Sequence, residues 1–412
     1  MSLIPKTVPT GAIRYNTDSN KMECFNGTKW MQVSVSSPDL GNTGDYSAAA
    51  RGFHVGGRAH PGYSYSDQID AYNIASTGSV FDFGDMTSGS SNNYEQGAFS
   101  SHVRGCSFGG RGPGSHLDSI EYITMSILGN SVDFGNLTSD NPTQPSGFSS
   151  RTRGVRCGGI KAAASPSTSF GVNVMDFVTI ASTGNAEDFG DMSNGSSGNQ
   201  CSSSPTRGVI MGGSAPHNLS NGASALETNV IQFSTIATTG NTQDFGDCIT
   251  ITKNPAQAGN STRTICAGNS YPAINNTIQY ITIPTTGNAV NFGELNFSTQ
   301  ARFPGCTSNC IRGIWAGGYD PSPVSATVTD IQYINMSSEG NAMNFGDLTN
   351  HAKYNMGGVS DCVRGVFMGG HPSAVNTISY ISIATQGDGV DFGDLVQGVT
   401  TDDGMSTGHG GL

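Results

Sequence analysis

Arg364-Gly365-Val366-Phe367-Met368-Gly369-Gly370, followed by Thr377-Ile378-Ser379-Tyr380-Ile381-Ser382-Ile383 and by Asp391-Phe392-Gly393-Asp394, is a phrase that the chain writes seven times. Its leading arginines are Arg51, Arg104, Arg153, Arg207, Arg263, Arg312 and Arg364. The matching phenylalanines, each followed by Gly, are Phe83, Phe134, Phe189, Phe245, Phe292, Phe345 and Phe392. A spacing of about fifty residues, held throughout the chain after residue 50, marks a repeat architecture.

Each repeat reads as four short strands. One is the apolar run ending in Gly-Gly, as in Gly208-Val209-Ile210-Met211-Gly212-Gly213; the next alternates, as in Ile120-Glu121-Tyr122-Ile123-Thr124. A third carries the Phe, and a weaker fourth precedes the next arginine. Thr183-Gly184-Asn185 and its copies supply turn residues between the second and third. Helical periodicity is absent. The reading is an all-β chain whose residues 36–412 form one seven-bladed β-propeller of four-stranded blades. A β-solenoid is the competing architecture, with shorter coils and fewer hairpins. The Gly-Gly strand is expected nearest the axis, where backbones crowd, and Ala267-Gly268-Asn269 is expected to distort the fifth blade. Both Tyr46–Ala50 and Met405–Thr407 resemble the strand before an arginine, so two candidates compete to close the ring.

Only 12% of residues are charged and 35% hydrophobic, with a net charge of -12. That balance argues against a nucleic-acid binder, which needs clustered Lys and Arg. No run of eighteen apolar residues suggests membrane insertion, and residues 1–30 lack the apolar stretch of a secretory signal. Nine scattered cysteines make no disulfide framework, and Cys106, Cys157 and Cys266 read as small buried hydrophobes. No metal or other cofactor is expected.

Residues 1–35 stand apart as a small β-meander. Gly11 to Asn16 alternates, Thr17 to Asn20 turns, Lys21 to Phe25 returns, and Asn26-Gly27 makes a second hairpin before Lys29-Trp30-Met31. Too short to bury a core alone, such a unit calls for a partner. The stretch Gly11-Ala12-Ile13-Arg14-Tyr15-Asn16-Thr17-Asp18-Ser19-Asn20-Lys21 through Asn26-Gly27-Thr28-Lys29-Trp30 resembles the attachment segment of tailed-bacteriophage fibre and baseplate proteins. The array, with its wording at 179–191 and Thr206-Arg207-Gly208-Val209, resembles kelch-like propeller repeats of marine and cyanobacterial phage structural proteins. The resemblance implies a virion protein, assembled in the host cytoplasm, that joins other virion structural proteins through residues 1–35, as a trimer. A tail-fibre, baseplate or capsid-surface position would put host-surface adhesion or docking of another virion protein on its propeller.

The seven arginines recur with Asp85, Asn136, Asp191, Asp247, Glu294, Asp347 and Asp394 at the end of the Phe-Gly strand. Repetition marks scaffold, and the pattern predicts a ring of salt bridges or backbone contacts between blades. Strand alternation puts the loops of changing length on one face. That face carries His60, Tyr63, Tyr65, His116, His217, Tyr271, Tyr319 and His371, side chains suited to stacking on a sugar ring and bonding its hydroxyls. These are the candidate residues for a host-surface glycan. A polysaccharide-acting enzyme is the alternative; Asp67, Asp70, Asp118, Asp140, Asp320 and Glu227 are its available acids, but no phrase singles out a pair, so no catalytic residue is assigned.

Overall fold

A computed structural model describes residues 8–16, 21–32, 50–59, 64–87, 96–112, 115–138, 142–161, 170–214, 228–253, 255–269, 275–296, 304–320, 326–349, 354–371, 375–400 and 403–407. Among the described residues all regular structure is β-strand, most of it in four-stranded antiparallel sheets of one repeated order, which is a β-propeller-like fold. The N-terminal meander is a sheet of Ile13–Asn16, Lys21–Phe25 and Trp30–Gln32. Arg14 lies 4.2 Å over the Trp30 ring and binds Glu23 at 2.8 Å.

In the array the fourth sheet shows the rule. Its order is Gln200–Ser203, Arg207–Met211, Val230–Thr235, Gln243–Asp247. The same four-strand pattern recurs in six other described sheets. The first sheet pairs Asp403–Ser406 with Arg51–Val55, followed by Gln68–Asn73 and Phe81–Asp85. The strand near the C-terminus therefore takes the place for which two segments competed, and Tyr46 to Ala49 lie outside the described residues.

The strand preceding each arginine is the innermost, which corrects the expectation that the Gly-Gly strand lies nearest the axis. The innermost strands neighbour one another in sequence order, and Asp403–Ser406 touches both Gly97–Ser100 and Gly357–Ser360. Gly-Gly instead follows the second strand, where it meets the link between one outer strand and the next innermost strand. Gly110, Gly159, Gly213 and Gly370 donate to Pro142, Ser196, Thr252 and Val399 carbonyls there. In the fifth sheet, Ala267-Gly268-Asn269 lengthens the hairpin: Arg263–Asn269 pairs with Asn275–Thr282 through a bulge.

Second strands are buried on both faces because neighbouring sheets cover them, so Arg207–Met211 buries Gly208 through Met211. Outer strands bury only the Phe side chain, as in Gln243–Asp247. Hydrophobic clusters consequently form between adjacent sheets rather than in one thick core. One of them joins Tyr72 and Ile74 of the first sheet to Val366, Met368 and Phe392 of the seventh.

The Thr-Gly-Asn turns are more than hairpins. Gly184 donates to Phe134 O at 2.7 Å, Ala186 to Asn136 O at 2.8 Å, and Asn185 Oδ1 accepts the Asn136 N–H at 3.1 Å. Each turn thus clasps the outer strand of the preceding sheet. The pattern returns at Gly78, which donates to Phe392 O at 2.7 Å. The Phe-Gly glycine exists for this approach: at Gly135 (φ +142) a Cβ would lie 2.4 Å from Gly184 O.

A third tie lies deeper. Asp70, Glu121, Asp176, Gln232, Gln279 and Gln332 occupy the same buried position of their third strands. Five of them accept a backbone N–H from the residue two places after the acid that closes the preceding Phe-Gly phrase, as Gln232 Oε1 does from Ser193 at 2.7 Å and Asp70 Oδ2 from Val396 at 3.2 Å. In the third sheet Asp176 instead meets the Thr138 hydroxyl and the buried Arg156. An isolated buried carboxylate is expensive, and these bonds offset part of that cost. Asp70, a candidate acid in the sequence, is therefore a core residue facing His54 across the sheet; burial raises its pKa, with His54 opposing.

Candidate functional site

The seven arginines do not pair with the acids of the Phe-Gly strand. Asp85, Asn136, Asp191, Asp247, Glu294, Asp347 and Asp394 are exposed on the outer strands, and each arginine turns instead to the adjoining sheet. Arg51, Arg104, Arg153, Arg207, Arg263, Arg312 and Arg364 donate Nη1–H to Met125, Ile180, Ile236, Ile283, Met336, Ile383 and Ile74 carbonyls at 2.7–3.1 Å. The last of these bonds runs from the seventh sheet to the first.

Six guanidiniums also lie over an aromatic ring of their own sheet, from Tyr122 to Tyr380, at 4.2–4.7 Å. That ring in turn meets the repeat Phe edge-on, as Phe233 meets Phe245 at 5.9 Å. Arg51 has Ala71 at the corresponding position. The charge is thus used as a bridge with a cation–π seat. Arg207→Ala is expected to lower unfolding stability by about 3 kcal/mol, combining a charged hydrogen bond and the ring contact. Arg51→Ala, without the ring, should cost about 2 kcal/mol or less. Urea midpoints of the two variants test this order, and equal losses would remove the cation–π contribution.

With the repeated groups committed to the scaffold, the irregular loops remain. Several fold into small ribbons: Arg58–Ala59 with Ser64–Tyr65, Arg111–Gly112 with Ser115–His116, and Tyr319–Asp320 with Ala326–Thr327. Tyr65 lies under Arg58, 5.7 Å from its guanidinium carbon. His116 faces Arg111 in register and is half-buried. His60, Tyr63, His217 and Tyr271 lie outside the described residues.

Tyr319 and His371, from loops of the sixth and seventh sheets, come together around a third residue. Tyr354, on the link between those sheets, packs at 5.1 Å from the Tyr319 ring and 4.9 Å from the His371 ring. Its hydroxyl is 2.9 Å from His371 Nδ1, and the two backbones form an antiparallel bridge. All three side chains are partly exposed. Burial lowers the His371 pKa, which favours the neutral ring at pH 7. A neutral imidazole beside two phenols gives flat apolar faces bordered by hydrogen-bonding edges, the chemistry that suits a sugar.

Tyr354 was not among the sequence candidates because it sits on the outer-to-inner link rather than in a loop after Gly-Gly. The available signal was a lone aromatic in an otherwise polar link. Of the candidate acids, Asp67 and Asp118 accept backbone N–H groups from Met86 and Leu137 through their carbonyls, while Asp140 and Glu227 lie outside the described residues. Among the described residues no group of three or more His, Cys, Asp or Glu could hold a metal ion.

A cavity of about 400 Å³ runs between the innermost strands. Its wall is largely Ser, Gly and Thr, with hydroxyls directed between sheets: Ser149, Ser203, Ser308, Ser360 and Ser406 donate to Ser100, Ser149, Gly259, Ser308 and Ser360 carbonyls. These serines therefore bind strand to strand around the cavity.

No protein-family model matches the chain, and no curated protein matches its sequence. A solved structure described as that of YjhT is similar in fold, with a TM-score of 0.57 and 9% sequence identity. The likeness covers 71% of this chain and 95% of that one, and at such identity it concerns the fold alone.

Proposed function

We propose that the chain is a structural protein of a tailed-bacteriophage virion, a closed seven-bladed kelch-like propeller behind an attachment meander of residues 1–35. Its loop face carries the work, which is adhesion to a host-surface glycan or docking of another virion protein. Support for the ring comes from ties that return from the seventh sheet to the first: Arg364 to Ile74, Gly78 to Phe392, and Val396 to Asp70. Support for the working face rests on one observation, the grouping of Tyr319, Tyr354 and His371 where the repeat pattern is broken. The virion assignment itself rests on the likeness of residues 11–30 and of the repeat wording to phage proteins. In this reading the protein has no catalytic activity, assembles in the host cytoplasm as a trimer, and contacts virion neighbours through its meander.

Electron microscopy of intact particles, with the protein labelled, tests the assignment. Density on the fibre, baseplate or capsid surface is expected, and a protein confined to infected-cell cytoplasm would overturn it. For the adhesive face, loss of one stacking ring is worth about 1 kcal/mol. Tyr319→Ala should therefore weaken glycan-array capture roughly fivefold to tenfold. Capture unchanged by replacing all three residues would move recognition off this cluster.

A further inference from the structure

We propose that Cys157 and Cys201 form an oxidative modification site, a thiol pair that a small disulfide converts into a covalent staple between the third and fourth sheets. The pair follows from the register of neighbouring sheets. The second residue of an innermost strand rests on the last residue of the second strand in the preceding sheet. At one junction Gly147 takes that place, and a Cβ there would come 2.8 Å from the Phe108 ring. At another, the Gln257 amide reaches the Met211 sulfur at 3.8 Å. Between the third and fourth sheets the same two positions hold Cys157 and Cys201.

Their environments differ in a way that orders the chemistry. Cys157 is fully buried, whereas Cys201 packs on the same apolar cluster and lines the axial cavity. Cys201 packs against the cluster that contains Cys157, and both are free thiols. At the equivalent inner position of the sixth sheet, Cys306 Sγ faces the Gln257 carbonyl instead.

The exchange balances with one disulfide co-reactant. The Cys201 thiolate attacks one sulfur of the small disulfide, whose S–S bond breaks and releases one thiol, leaving a mixed disulfide on Cys201. Cys157 sulfur then attacks the Cys201 sulfur, the mixed bond breaks, and the second small thiol departs with the Cys157 proton. The protein loses two hydrogens, and the co-reactant is reduced to two thiols. Burial raises the Cys157 thiol well above its usual range, so the second step should quicken as pH rises.

The test treats the folded full chain with 2-hydroxyethyl disulfide at mildly alkaline pH, alkylates the remaining thiols, and maps peptides by mass without reduction. The expected product joins the Cys157 and Cys201 peptides, lighter by two hydrogens, and raises the unfolding midpoint. In Cys201→Ala, a residue already present at the matching position as Ala98, Cys157 should stay a free thiol. Three results would overturn the proposal: a hydroxyethyl adduct left on Cys201 beside a free Cys157, no reaction at either, or pairing of either with another cysteine. Should the variant fail to fold, the map of the unsubstituted chain decides alone.

Discussion

Removing the chain from Asp403 onward should cost on the order of 5 kcal/mol or more and increase self-association. The strand Asp403–Ser406 is hydrogen-bonded along Arg51–Val55, with Met405 opposite Phe53. Its loss forfeits a short ladder worth about 1 kcal/mol per bond and the burial of Met405, itself about 2 kcal/mol. It also exposes the backbone of Arg51–Val55 as an open edge beside the cavity. Urea denaturation and light scattering measure the two consequences. A truncated chain that unfolds at the parental midpoint and remains monodisperse would show that the fold does not depend on this strand. Met405→Ala, which keeps the ladder, should lose only about 2–4 kcal/mol, separating packing from pairing.

The second large effect is expected at a glycine that composition alone would pass over. Gly135→Ala puts a methyl group 2.4 Å from the Gly184 carbonyl, at a φ of +142. The clasp between the second and third sheets must then open, losing the Gly184-to-Phe134 and Asn136-to-Asn185 bonds. Gly129→Ala is the control, for it has a similar φ of +148 and nothing within 4 Å of the added carbon. Backbone strain alone predicts about 1–3 kcal/mol for Gly129→Ala, and the collision should add about 2 kcal/mol more for Gly135→Ala. If thermal unfolding gives the two variants equal losses, the clasp contributes nothing beyond the local conformation.

These cases also show what was legible in the sequence. Strand positions follow from alternation and turn residues, and Arg104 through Arg364 could be recognised as scaffold from repetition alone. Their partners could not, because each guanidinium binds a backbone carbonyl, and a carbonyl belongs to every residue equally. The neighbouring Asp and Glu side chains, visible in the one-letter code, put ion pairs beside backbone contacts in the expectation, and it is the backbone contacts that form. In the same way Phe134-Gly135 and Thr183-Gly184-Asn185 look like two independent motifs, although they are halves of one clasp from different repeats. The assignment of Gly-Gly to the axis failed for a related reason: crowding was inferred correctly, but its source is the crossing link, not the central strands.

At the site, Tyr319 and His371 were identifiable because irregular loops in a regular array draw the eye. Tyr354 lay in a segment read as mere connection, and only the backbone bridge to His371 reveals that the link runs between the loops of two sheets. Residues such as His60 and His217 gained no structural placement.

The clasp has an effect on how copies of this protein can meet. An outermost strand ordinarily offers a row of bare amides and carbonyls to any passing chain. Here Phe83 O and Asp85 O are taken by the adjoining turn, and the Asp85 amide by Asn130, with the same bonds recurring from sheet to sheet. With those groups already occupied, two copies meeting side by side find fewer places at which one outer strand could zip onto another.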